Sequence, residues 1–369
     1  MDGSVVTALE VMLSGGDPLD VAQAAEAVIG FCHAVQLQSF NQVFQEAELA
    51  ADPDGVVVDP TSPEVACAMG WSPGLASSMV DTAVDVVTEL PELLSALAAG
   101  RIDLGKVREI TRGTCELRPA DRQELARRAI VFAATHTRSQ LRSWLGRQVD
   151  RIDPDAADRR RRAARKHRGV RLTPEPDGMA TLSAYLTAEE AVACMESIRE
   201  RCRAIDGARD ANQADTLVEL LTGITAAQPV PVTVIMTDQG PEIEGYGPIS
   251  QRHAADLLAR LNLSSALIRL DRPPMRIGYA PNLAIRRYVQ VRDRHCRFPG
   301  CTRPASACDL DHLAPWPAGA TDVDNLHALC RRHHRIKTHT GWQVVAGPNG
   351  TLIWTSPRGR VYLSSLKDP

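Results

Sequence analysis

Four of the nine cysteines in this 369-residue chain, Cys296, Cys301, Cys308 and Cys330, crowd into 35 positions. Six of its ten histidines lie between His295 and His339. The segment Met1 to Leu13 lacks the positive start of an export signal, so the crowding argues for metal rather than disulfides. Cys296 and Cys301 enclose Pro299-Gly300, a tight loop that offers two thiolates. Cys330 and His333 are three apart, a spacing that puts both on one helix face. Four soft donors in two pairs suit a tetrahedral structural Zn2+. A small module with few core residues needs such a staple. Cys308 is a rival ligand; its other reading is a buried thiol beside the site.

A second layer of chemistry is interleaved with the first. On a helix His333 and His334 point about 100° apart, so one helix cannot aim both at a single ion. With His333 on zinc, His334 is available for a harder cation alongside a carboxylate, and Asp311, beside His312, is the obvious candidate. His312 beside it is a candidate general base. Neighbours in a strand point to opposite faces, so Asp311 and His312 share a site only at a strand end or a bend. His339, five past His334, is peripheral; His295 and His327 read as surface or packing residues.

Taken together, Cys296-x4-Cys301, Asp311-His312, Asn325-Leu326 and Leu329-Cys330-x-x-His333-His334-x-x-Lys337 resemble the HNH endonuclease family over about residues 294–343. The resemblance implies a ββα-metal core. In it Asp311 and His334 bind a catalytic divalent ion, His312 activates the attacking water, and Asn325 orients His312 or holds the loop. The family's tetra-cysteine versions have a cysteine where His333 stands. Mg2+ or Mn2+ is the expected ion, and a histidine ligand tilts the choice towards Mn2+ or Ni2+. Such an ion neutralises a phosphate oxygen and stabilises the leaving oxygen; a neutral histidine takes the water proton. The implied partner is DNA. Arg286, Arg287, Arg292, Arg294, Arg297, Arg331, Arg332, Arg335 and Lys337 surround the motif and are candidate backbone contacts. The alternative is a non-catalytic zinc-containing DNA-binding or regulatory protein, which has no need of the Asp311-His312 pair.

The chain as a whole is rich in Ala and Leu, with 4% aromatic residues, which favours helices. Helices are expected over 17–50, 75–99, 104–112, 119–135 and 138–147, with a loop at 52–62. In the first, Val21, Ala24, Ala25, Val28, Phe31 and Cys32 form the apolar stripe. The scattered cysteines Cys32, Cys67, Cys115, Cys194 and Cys202 read as small buried hydrophobes. A hairpin is expected at 169–186, with Thr187 and Glu190 capping the helix that follows. Another helix is expected over 214–224, a strand within 229–237, a helix capped by Ser250 through Leu261, a helix over 282–293, and a hairpin at 342–354.

Residues 1–100 contain no Lys or Arg and fifteen Asp or Glu, whereas the remainder carries all 42 basic residues against thirty acidic ones. The split of −15 against +12 fits a polyanion-binding half, or an acidic part docked on a basic one. The run Arg159, Arg160, Arg161, Arg162, Arg165, Lys166 and Arg168 is either a solvated helix face or a phosphate-contacting strip. Ala99-Gly-Arg-Ile-Asp-Leu-Gly-Lys-Val107, Pro174-Glu-Pro-Asp-Gly-Met179 and Asp215-Thr-Leu-Val-Glu-Leu-Leu-Thr-Gly223 resemble the mostly helical domain of unassigned function in the 13E12 repeat proteins. The expected architecture is therefore a mainly α N-terminal domain with a small β element over 1–265, a linker at 266–281, and a C-terminal α+β zinc-stapled ββα-metal module over 282–369. No apolar run is long enough to span a membrane, and a cytoplasmic protein is expected.

Overall fold

The computed structural model describes residues 3–202, 209–223, 232–237, 240–260 and 278–366. Helices α1 (Gly3–Ser14), α2 (Pro18–Gln45), α3 (Thr61–Met69), α4 (Pro73–Val84), α5 (Pro91–Ala98), α6 (Leu104–Thr114), α7 (Pro119–Ala133), α8 (Arg138–Ile152) and α9 (Pro154–Lys166) come first. A short pair, β1 (Ala50–Ala51) and β2 (Val57–Val58), separates α2 from α3. The middle holds β3 (Gly169–Pro174), β4 (Ala180–Tyr185), α10 (Ala188–Cys202), α11 (Arg209–Thr222), β5 (Val234–Thr237), β6 (Gly240–Ile243), β7 (Gly247–Pro248), α12 (Gln251–Arg260) and α13 (Leu283–Asp293). Then follow β8 (Asp309–His312), β9 (Leu326–Leu329), α14 (Arg331–His339), β10 (Gln343–Ala346), β11 (Leu352–Thr355) and β12 (Val361–Ser364).

Two compact units divide the chain. One holds residues up to 161 with 297–302 and 329–368; the other holds 162–296 and 303–328. The segment from 282 onward is thus shared between them. Most of the expected linker, 266–277, lies outside the described residues, as do Leu261 and residues 224 and 229–231 of the expected elements.

In the first unit the helices start where short polar caps allow. Asp17 accepts from the Leu19 amide, Ser72 from Leu75, and Asp103 from Lys106. Thr137 and Gln140 form a reciprocal capping box at α8. The helix expected over 75–99 is interrupted. After α4 the backbone makes a π-helical turn at Asp85–Glu89 and restarts at Pro91, because a proline has no amide to donate and forces Leu90 out of helical geometry (φ −132°, ψ 55°). The 52–62 loop holds β2, which pairs with β1 just before it, and α3 begins at its end, where Asp59 accepts from the Thr61 and Ser62 amides.

The apolar stripe of α2 also differs from the expected one. Ala24, Gly30, Ala34, Leu37 and Phe40 are buried, whereas Cys32 is exposed. Small residues set this face. A Cβ on Gly30 would lie 2.6 Å from the Leu97 carbonyl oxygen, and one on Gly100 (φ +67°) 2.6 Å from the Ala27 Cβ. Backbone approach, not side-chain bulk, selects the contact. The scattered cysteines are not the buried hydrophobes expected: Cys32, Cys115 and Cys194 are exposed, and Cys67 and Cys202 are half-buried. The main core joins Leu37, Leu90, Leu93, Leu97, Ile110, Leu125, Leu141 and Leu145.

The C-terminal residues of this unit form the meander β10–β11–β12, with Val344 opposite Trp354 and Trp354 opposite Tyr362. The third strand was not anticipated; Pro357-Arg-Gly359 supplies its turn. Several of these residues bond to the acidic N-terminal stretch. The Trp342 indole N–H donates to the Pro60 carbonyl (3.4 Å), Ser356 Oγ donates to Glu64 (2.7 Å), and Arg335 meets Asp52 (3.1 Å). Of these contacts, Arg335 with Asp52 is an ion pair between the acidic stretch and the basic remainder.

In the second unit the 169–186 hairpin forms as expected, with Gly169 opposite Tyr185 and a turn through Asp177 and Gly178 at positive φ. The Thr187–Glu190 capping bonds are present. β5, β6 and β7 form a small antiparallel sheet, and Ser250 caps α12. Asn282 caps α13, whose Ile285, Tyr288 and Val289 pack on Leu310, Val323 and Leu326. That small core fixes β8 and β9. No helix among the described residues is long and apolar enough to cross a membrane.

Candidate active site and metal centre

Cys296, Cys301, Cys330 and His333 converge. One donor atom from each lies within 4.8 Å of every other. Four donors about 2.3 Å from a tetrahedral zinc would lie about 3.8 Å apart, so this group fits the ion. The chain builds the first pair with a knuckle: the Cys296 amide donates to Arg303 O (2.8 Å), the Cys301 amide to Phe298 O (3.1 Å), and Gly300 takes φ +72°. The second pair comes from the start of α14. Cys330 is its extended N-cap, and His333 follows in the first turn, its Nδ1 3.3 Å from Cys330 Sγ. Phe298 stacks on the His333 ring (4.1 Å, 15°) and meets Trp342 and Trp354 edge-on at 5.0 Å, so an aromatic core grips the ligand from behind.

Cys308 is not one of the four; its buried thiol donates to Pro304 O at 3.3 Å, as in its second reading. His339 ends α14 and is also outside the group. His295 lies outside it too, and burial, then the Arg294 charge, holds its pKa below the usual histidine value.

Asp311 and His312 close β8, which meets the requirement that the pair sit at a strand end. Asp311 Oδ2 lies 3.5 Å from Nε2 of His327, a side chain only 1% exposed. His327, read from sequence as a surface or packing residue, is a buried partner of the acid. His312 Nε2 is 2.9 Å from Thr321 Oγ1, and that hydroxyl donates to the Tyr279 carbonyl at 3.0 Å. A hydroxyl has one proton. With it given to Tyr279, Thr321 must accept from His312, so Nε2 carries a proton, and in the neutral imidazole Nδ1 keeps its lone pair. Thr321 is 1% exposed and fixes this arrangement. No sequence signal singled it out.

Of the two roles open to Asn325, its bonds are those of a loop holder. Oδ1 accepts from the Ala314 amide (2.8 Å), and Nδ2 donates to Ala314 O (3.0 Å) and Ala320 O (2.8 Å). The strand that follows it, β9, is anchored by Asp293, whose Oδ2 accepts from the Ala328 amide (2.8 Å). His334 is half-buried on α14, next to His333 but not among its four donors.

Many cations flanking the motif are structural. Arg287 pairs with Glu244, Arg294 with Glu242, and Arg335 with Asp52. Arg292 bonds to Asp293 and to the Val323 and Leu326 carbonyls, and buried Arg297 to Gly350 O and Ser364 O. Arg286, Arg331 and Arg332 are exposed. Sequence position alone does not separate a cation facing solvent from one tying two strands.

Comparison with known proteins finds relatives and a family. Over 113 residues the chain is 47% identical to the uncharacterized protein Rv2100 of Mycobacterium tuberculosis, a stretch covering 29% of this chain and 20% of that protein. It is 40% identical over 141 residues to the uncharacterized protein Rv3776 of the same organism, covering 37% of this chain and 26% of that one. The chain thus matches about a fifth to a quarter of the length of these relatives. A longer match, 26% identical over 343 residues, covers 78% of the chain and 75% of the uncharacterized protein Rv1148c. No solved structure matches the chain. The family described as a domain of unknown function, DUF222, matches residues 20–293, which include every helix from α3 to α13, and the chain belongs to that family.

Proposed function

We propose that this protein is a metal-dependent DNA endonuclease of the HNH type. What carries the reading is His312 at the end of β8, beside Asp311, with its Nε2 tied to Thr321. A zinc staple alone has no use for that arrangement. The succession β8, β9, α14 along the chain supports a ββα reading of this region.

Cys296, Cys301, Cys330 and His333 would hold a structural zinc, and Asp311 and His334 a divalent ion such as Mg2+, Mn2+ or Ni2+. When bound, that ion supplies Lewis-acid stabilisation of phosphate charge. His312 takes a proton from water at Nδ1, the atom its Thr321 bond leaves unprotonated. Thr321 holds the ring orientation. Asn325 pins the loop from Ala314 to Ala320 beside it. Nicking of supercoiled plasmid in Mn2+ or Mg2+ tests the proposal beside His312→Ala. Wild type should nick and the variant lose nearly all activity; equal inactivity of both across metals would leave the non-catalytic DNA-binding reading.

A further inference from the structure

Aromatic residues are scarce in this chain: five each of Trp, Tyr and Phe. Two of them stand exposed beside His312. Tyr279 lies nearly parallel to the His312 ring (15°, centroids 5.8 Å apart) and is 66% exposed. Trp316 meets Tyr279 at 64°, centroids 6.4 Å apart, and is 42% exposed. Among the other described aromatic rings only Tyr185 (60%) is exposed; the rest are buried or half-buried, as with Phe298 and Trp354. Leaving two in water at one spot needs a reason.

The backbone holds both in place. Thr321 bonds the Tyr279 carbonyl, and Asn325 grips the Ala314 peptide two residues before Trp316. The rings are thus mounted on the same two residues that set His312 and its loop. A rigid, half-wet aromatic surface beside a phosphodiester-cutting histidine fits a flat, apolar-faced group carried next to a phosphate. A nucleobase is such a group. Within a duplex its faces are already stacked, so only an unpaired or splayed base can use the rings. Arg286, exposed on α13, adds positive charge to the same unit.

We infer that Tyr279 and Trp316 form a stacking ledge for an unpaired base, so that the substrate is DNA with a single-stranded element rather than intact duplex. The inference rests on the endonuclease reading for what the bound strand is for, but the binding it describes does not require cutting. A structural alternative has the rings merely wall off His312; that role alters nicking without making binding strand-selective.

Fluorescence anisotropy of the full-length protein separates these. A labelled single-stranded oligonucleotide and its duplex are titrated at fixed salt, without added divalent metal and without chelator, so that zinc stays and cutting does not begin. Tyr279→Ala and Trp316→Ala should each weaken single-strand binding about tenfold and leave duplex binding within about twofold. Tyr279→Phe, which keeps the ring, should bind as wild type. Equal weakening for both DNA forms, no weakening by either Ala variant, or a Phe variant as weak as the Ala variant would each overturn the ledge. Strand selectivity lost with the rings but no nicking in any metal would sink the nuclease and keep the ledge. Nicking with no ring-dependent selectivity would do the reverse.

Discussion

Replacing Thr321 with valine is the sharpest probe of the site, because it swaps a hydroxyl for a methyl at nearly constant shape in a position only 1% exposed. Two bonds are lost, to His312 Nε2 (2.9 Å) and to the Tyr279 carbonyl (3.0 Å). Each is worth about 1 kcal/mol net, and burying no new charge adds nothing. Tyr279 is largely exposed, so water can satisfy its carbonyl; the stability loss should therefore stay near 1–3 kcal/mol. Activity should suffer more. Without Thr321 the imidazole is free to rotate and to place its proton on either nitrogen, so the share of molecules presenting an unprotonated Nδ1 falls. Losing a bond that orients a working histidine typically costs about 10- to 100-fold. Initial nicking rates under saturating metal should drop in that range, with DNA affinity and zinc content held. Nitrogen NMR of labelled histidine should show the Nε2-protonated tautomer giving way to a mixture. Wild-type nicking by Thr321→Val, beside an inactive His312→Ala, would refute the orienting role.

The zinc centre makes its own prediction: purified protein should carry about one zinc per chain, and chelation or Cys330→Ser should release it and collapse the near-ultraviolet signal of Trp342 and Trp354, whose rings pack around Phe298; a variant that keeps both would contradict the cluster. Gly30→Ala should lower thermal stability by about 1–3 kcal/mol, since its Cβ would fall 2.6 Å from the Leu97 carbonyl oxygen, and a neutral result by calorimetry would mean that α2 and α5 can separate freely. Glu109, held below the ordinary carboxylate value of 4.5 first by its bond from Arg142 and against the opposing effect of burial, contributes stability that is present above about pH 4.5 and lost as pH falls through its lower folded value. The unfolding free-energy gap between wild type and Glu109→Gln should accordingly be widest near neutral pH, on the order of 1 kcal/mol because Arg142 is largely exposed, and should close in acid; a pH-independent gap would exclude the ion pair as its source.

Local rules read well from the sequence where the determinant is itself local. The capping pairs Thr187–Glu190 and Ser250–His253, the Asp177–Gly178 turn and the Cys-x4-Cys knuckle all depend on residues a few positions apart. The four zinc donors were legible for the same reason, since each pair is set by one loop or one helical turn. What escaped was determined at a distance. The α2 face is chosen by where Gly30 can approach Leu97, a contact across 67 positions that hydrophobicity does not encode. His327 meets Asp311 because β8 and β9 lie side by side, and Thr321 reaches His312 from the loop between those strands, neighbours that sequence order hides. The break at Pro91 is legible in the sequence, because a proline inside a helical pattern outranks the periodicity around it.

Charge shows the same division and leads to a measurable consequence. Nine basic residues flank the motif, and counting all as phosphate contacts would give a salt slope near −8 for duplex DNA. Arg287, Arg292, Arg294, Arg297 and Arg335 have partners inside the protein, which leaves at most four of the nine, a contribution of about −4. A cation already paired releases no counterion when DNA arrives unless it first breaks its pair. Arg286→Ala should therefore reduce the slope by about 1, whereas Arg287→Ala, whose guanidinium is bound to Glu244, should leave the slope unchanged. The opposite pattern would mean that Glu244 yields its arginine to phosphate, and that the internal pairs are a store of positive charge released by DNA rather than struts of the fold.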